Sequence, residues 1–67
     1  MYKTVEKAIA RIAKDVERQT GANIADYLYD AVINYEYDDD GEKATCEWII
    51  NGLEYEAEKF LELKEAE

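Results

Sequence analysis

Apolar residues recur along this chain at the three- and four-residue spacing of helices. Val5, Ala8, Ile9, Ile12, Ala13 and Val16 fall on one face of a segment from Lys3 to Thr20. Lys3, Lys7, Arg11, Lys14 and Arg18 fall on the opposite face. Gly21 marks the stop, because glycine enters the left-handed conformation that closes a helix without steric cost. A second stripe of Ile24, Tyr27, Leu28, Ala31, Val32 and Tyr35 predicts a helix over residues 23–37, with Asn23 as its N-cap. This segment also carries Tyr29, Ile33 and Tyr37, four residues apart on the far side, which a helix buried on one face does not need. The run from Val32 to Tyr37 is also compatible with a strand, which is the alternative to the helix.

The third segment has two readings. As a helix over residues 44–65, it gathers Cys46, Ile49, Ile50, Leu53, Ala57, Phe60 and Leu61 into an arc of about 120°. As a hairpin turning at Asn51-Gly52, it pairs Trp48 with Tyr55 and sets Glu47 opposite Glu56. Like charges directly opposite are unfavourable, and the hairpin strands Ile49 on the polar face. A helix tolerates Gly52 at about 1 kcal/mol relative to alanine and keeps one register through Leu61. The helix is therefore favoured. The expected fold is an all-α, compact three-helix domain with helices over about 3–20, 23–37 and 44–65. The α+β alternative has helices over 3–20 and 23–31, a three-stranded meander over 32–58 and a short C-terminal helix.

Length and composition narrow the chemistry. Sixty-seven residues make one small domain with one core. There is no histidine, so there is no imidazole base and no histidine-ligated metal. The single cysteine, Cys46, forms no internal disulfide and cannot by itself build a zinc site. Catalysis and cofactors are not expected. Met1-Tyr2-Lys3 leads straight into the first amphipathic pattern, with no apolar leader and no run of about 18 apolar residues. The expectation is a soluble cytoplasmic protein that binds no membrane.

The acidic turn Asp38-Asp39-Asp40-Gly41 lies in a span, residues 36–47, that resembles an EF-hand loop. Asp38, Asp40 and Glu47 occupy ligand positions three, five and twelve, and Gly41 occupies position six. The span departs from the pattern at its first position, where Glu36 replaces aspartate, and at its eighth, where Lys43 replaces an aliphatic residue. A second hand is missing. Calcium binding is therefore the minor reading, and a solvated acidic turn the major one.

The charge has a layout as well as a total. Residues 1–21 carry five basic and three acidic side chains, giving +2; residues 22–67 carry three and fourteen, giving −11; the sum is −9. The basic stripe of the first segment reads as a solvated face with local ion pairs. The acidic remainder repels nucleic acid and attracts basic protein surfaces. Asp26, Asp30, Asp38, Asp39, Asp40, Glu47, Glu54, Glu58 and Glu62 are the candidate partner-binding carboxylates. The same region holds a candidate aromatic patch, Tyr29, Ile33, Tyr37, Trp48 and Tyr55, for a partner or for a second copy of the chain.

In size, charge and lack of catalytic residues, the chain resembles the small acidic proteins that phages and mobile elements use to block host nucleases. DNA-mimic inhibitors and anti-CRISPR proteins are of this type. The resemblance implies a binding protein that occupies the basic nucleic-acid groove of an enzyme and has no chemistry of its own. A homodimeric structural or accessory subunit, using the aromatic patch on its own copy, is the alternative.

Overall fold

The computed structural model describes residues 2–66. Helix α1 spans Lys3–Thr20, α2 spans Ala25–Ala31 and runs on into a 3-10 turn over Val32–Tyr35, and α3 spans Cys46–Ala66. The described residues are 77% helical and contain no strands, so the all-α reading holds and the meander does not form. Among them, no helix is long and apolar enough to cross a membrane.

Each boundary has a local cause. α1 begins after Tyr2 and closes at Gly21, whose φ of 78° lets its N–H donate to the Glu17 carbonyl at 2.7 Å. Thr45 caps α3: its Oγ1 accepts the N–H of Trp48, the third residue of the helix, at 3.2 Å. Glu47 then places a carboxylate at the positive end of the helix dipole.

The second helix is shorter than the stripe suggests. Asn23 forms a turn before the helix, its Oδ1 accepting the Ala25 N–H at 2.9 Å, and Ile24 takes the N-cap position instead. At the other end the Val32 N–H is shared between the carbonyls of Leu28 and Tyr29. That bifurcation is where α-helical spacing tightens to 3-10 spacing. Val32, Ile33 and Asn34 are indifferent helix formers, so little opposes the change. Tyr37, expected at the end of the helix, is instead extended and forms an isolated antiparallel bridge with Lys43.

All three elements contribute to one core. Val5, Ile9 and Val16 of α1, Leu28 of α2, and Leu53 of α3 are its most completely buried members. Val5 lies with Ile49 at one end, and Ile12 and Val16 lie with Ala57 and Leu61 toward the other. The pairs advance together along both helices, so α1 and α3 run in the same direction and α2 returns between them. The sequence arc of α3 is the buried one: Ile49, Leu53 and Ala57 are buried, and Cys46, Ile50, Phe60 and Leu61 pack against them.

Gly52 is buried for a separate reason. A Cβ built there would lie 2.3 Å from Cδ1 and 2.6 Å from Cγ of Tyr35. The glycine makes room for the tyrosine ring against the α3 backbone. The 3-10 turn brings that ring into place.

Candidate functional site

Trp48 and Tyr55 stand seven residues apart on α3, two turns along one side of the helix. That side lies opposite Leu53, and both rings are open to solvent, at 38% and 56% exposure. Nothing in the core requires them there. Lys59, one turn beyond Tyr55, places its ammonium 5.5 Å from the centre of the Tyr55 ring.

Beside these rings runs a carboxylate row. Glu47, Glu54, Glu58, Glu62 and Glu65 are all exposed and share one flank of α3. At about 1.5 Å rise per residue, the row is about 27 Å long, with a charge every 7 Å or so. One DNA strand carries a phosphate per ~3.4 Å of axis, so the row has about half that density.

The row is not isolated from the basic helix. Arg11 reaches Glu54 at 3.4 Å, with both side chains exposed, and a shallow seam lined by Arg11, Asp15, Glu54 and Glu58 separates α1 from α3. Such an exposed pair contributes about 0–1 kcal/mol. It does show that the +2 and −11 segments lie side by side. Arg18 is occupied nearer home, by Asp15 at 2.7 Å.

The other candidate residues sit elsewhere. Tyr29 and Ile33 are exposed on the second segment, as are Asp26 and Asp30. Tyr27, not Tyr29, marks the flank of α2 that meets α3, and residues two apart on a helix project about 200° apart. Tyr29 therefore does not join Trp48 and Tyr55, and the expected single aromatic patch divides. Tyr37, also exposed, edges a groove at the opposite end of the second segment from Tyr27.

Between α2 and α3 lies a cluster that the sequence reading did not single out. The hydroxyls of Tyr27 and Tyr35 both donate to the Glu56 carboxylate, at 2.5 Å to Oε2 and 2.8 Å to Oε1. Tyr27 was expected on the buried stripe, yet its ring is half exposed and its hydroxyl serves this bond. Glu56 is four residues beyond Gly52, so the gap that admits Tyr35 and the carboxylate that receives it lie on one face of α3. The only sequence signal was that pairing: a glycine and a glutamate one turn apart.

The two phenols, Tyr27 foremost, hold Glu56 below the ordinary glutamate value, and nearby Lys59 adds to the effect. Burial and the Glu56 bond push Tyr35 up to about 12, and the Glu56 bond raises Tyr27. Folding thus favours ionised Glu56. Its contribution is in full force well above pH 4.5 and is lost as pH falls through the lowered value. Neutral Tyr35 is favoured in the same way, and its contribution is lost as pH rises from 10 toward 12. Thermal melts followed by circular dichroism should show a Glu56→Gln chain with a shallower acid limb and a Tyr35→Phe chain with a shallower alkaline limb. Limbs identical to wild type in both variants would contradict the clasp.

The acidic turn is organised from within. The Asp38 carboxylate accepts the N–H groups of Asp40 and Glu42 at 2.9 and 3.0 Å through one oxygen, Oδ1. Gly41, at φ 77°, turns the chain, its N–H bonding the Asp38 carbonyl at 3.0 Å. Asp39 and Asp40 point to solvent. Among the described residues, no three cysteine or carboxylate groups are gathered to hold a metal ion, so Asp38, Asp40 and Glu47 are not assembled as an EF-hand would require.

No protein-family model matches the chain, and no curated protein or solved structure shows significant similarity to it.

Proposed function

We propose that the protein is a non-catalytic binding module that docks the outward face of α3 on a protein with a basic surface. The observation that carries this reading is the pairing of Trp48 and Tyr55 on one solvent-facing side, bordered by Glu47, Glu58 and Glu62. Tryptophan and tyrosine are the residues most enriched at interface hot spots, and an acidic border supplies attraction and orientation toward a basic partner. The titrating cluster supports a binding role over a catalytic one. General acid–base work needs a group poised near neutrality, whereas Glu56 is held low and its tyrosines high.

The narrower form of the proposal is competition. The carboxylate row would take the place of phosphates in the lysine- and arginine-lined groove of a nucleic-acid-handling enzyme, as in the phage-type inhibitors that the chain resembles in size and charge. At half the charge density of a strand, the row needs the aromatic anchors to complete its affinity. Self-association through the same face brings together two chains of net charge −9, which opposes the homodimer.

Affinity capture from a host lysate at low salt, with wild type and two variants in parallel, tests the reading. Trp48→Ala should weaken retention of the partner roughly tenfold or more, as expected for loss of a hot-spot ring. Glu47→Gln/Glu58→Gln/Glu62→Gln should weaken it at low salt and have little effect at high salt. Nucleic acid added in excess should release the partner. Retention of the same partner by all three chains would contradict the proposal.

A further inference from the structure

The chain from Glu36 to Ala44 folds back on itself. The Ala44 N–H donates to the Glu36 carbonyl and the Asp38 N–H to the Glu42 carbonyl, each at 2.8 Å. These two bonds bracket the Tyr37–Lys43 bridge, which makes it the kind of antiparallel pair whose members do not bond each other. The backbone N–H and C=O groups of Tyr37 point outward along one edge, and those of Lys43 along the other. Among the described residues, none of the four has a hydrogen-bond partner. Each side therefore offers one N–H and one C=O to which an extended chain can add.

The edge adjoins a groove of about 680 Å³ that Tyr37 and Lys43 both line. The exposed rings of Tyr2 and Tyr37 line it, over the nearly covered side chains of Val5, Val32, Ala44 and Ile49. Its lining holds one carboxylate, Glu36, and one ammonium, Lys43, and the turn between Tyr37 and Lys43 adds Asp38, Asp39, Asp40 and Glu42 alongside. Backbone donors and acceptors, a recess between two tyrosine rings and an acidic turn alongside all suit one kind of occupant.

We infer that this corner takes up an extended, basic peptide segment as an added strand. Strand addition uses main-chain bonds for affinity and alternate side chains for specificity. Side chains along a strand alternate between faces, so an apolar residue can enter the groove while its basic neighbours meet the carboxylates. This surface is separate from the outward face of α3, and the inference does not depend on the function proposed there.

The test uses the full chain and two synthetic probes: a peptide of alternating lysine and valine, and the same peptide with alternate backbone nitrogens methylated. Calorimetry should show saturable binding of the first. Methylation removes the donors along one edge and should weaken binding by about tenfold or more, the equivalent of one or two hydrogen bonds. Nitrogen–proton correlation spectra should place the largest shifts at Tyr37, Lys43 and Ala44. Absence of heat, equal affinity for the two peptides, or shifts confined to the outward face of α3 would each overturn the inference. The last outcome would leave the α3 proposal standing.

Discussion

Leu53→Ala is expected to unfold most of the protein at room temperature. Leu53 is completely buried, at the centre of α3. Removing a leucine side chain from such a site costs about 2–5 kcal/mol, through lost transfer energy and the cavity left behind. A core in a chain of this size supplies only about 3–5 kcal/mol in all. The two figures are of the same order, so urea denaturation should show the transition moved to very low denaturant or lost. Leu63→Ala is the control. Leu63 lies ten residues further along the same helix and is 66% exposed, so its loss should change stability by no more than about 0.5 kcal/mol. Equal effects at the two positions would contradict the assignment of the buried face of α3.

Gly52→Ala should destabilise the protein, although helix propensity alone says the reverse. In an exposed helix interior, alanine in place of glycine gains about 1 kcal/mol. Here the new Cβ would overlap Cδ1, Cε1 and Cγ of Tyr35 at 2.3–2.6 Å. The ring cannot swing away freely, because its hydroxyl is held by Glu56 on the same helix face. Overpacking of this kind costs about 1–3 kcal/mol. The net expectation is a loss of up to about 2 kcal/mol, read as a lower denaturation midpoint with an unchanged slope. The double substitution Tyr35→Ala/Gly52→Ala removes the collision and separates the two effects. In that background the glycine substitution should be neutral or stabilising. If Gly52→Ala raised the stability of the wild-type chain, the close packing of Tyr35 on α3 would be wrong.

Gly52 also shows what the chain discloses before its structure is known. The helical phase of α1 and α3 is legible because each buries one continuous stripe, and the choice of helix over hairpin at Asn51-Gly52 followed from the register of Ile49 and Leu61. By propensity alone the glycine there is a tolerated cost. Its cause, a ring arriving from the second segment, is a tertiary fact that periodicity cannot contain. The second segment was less legible for the same reason. Its apolar stripe continues smoothly through Tyr35, but the spacing tightens to 3-10 at the shared Val32 N–H, and the Tyr35 ring then packs on α3.

The candidate surface was legible in part. Trp48 and Tyr55 lie opposite the buried arc, as the helical wheel requires. Their separation from Tyr29 depends on which flank of α2 meets α3, and no spacing rule supplies that. Glu56 escaped notice because one glutamate among many carries no mark in the sequence. The two phenols that distinguish it come from residues 21 and 29 positions earlier.

The central claim is that the acidic, aromatic face of α3 binds a basic protein surface. The most direct measurement is the salt dependence of affinity for the captured partner, determined for wild type and for the Glu47→Gln/Glu58→Gln/Glu62→Gln chain. Exposed charges are screened beyond about 8–10 Å at physiological ionic strength. Wild-type affinity should therefore fall steeply as salt rises, and the triple variant should bind weakly with a much flatter slope. A wild-type affinity that does not change with salt, or a triple variant with the wild-type slope, would contradict the claim.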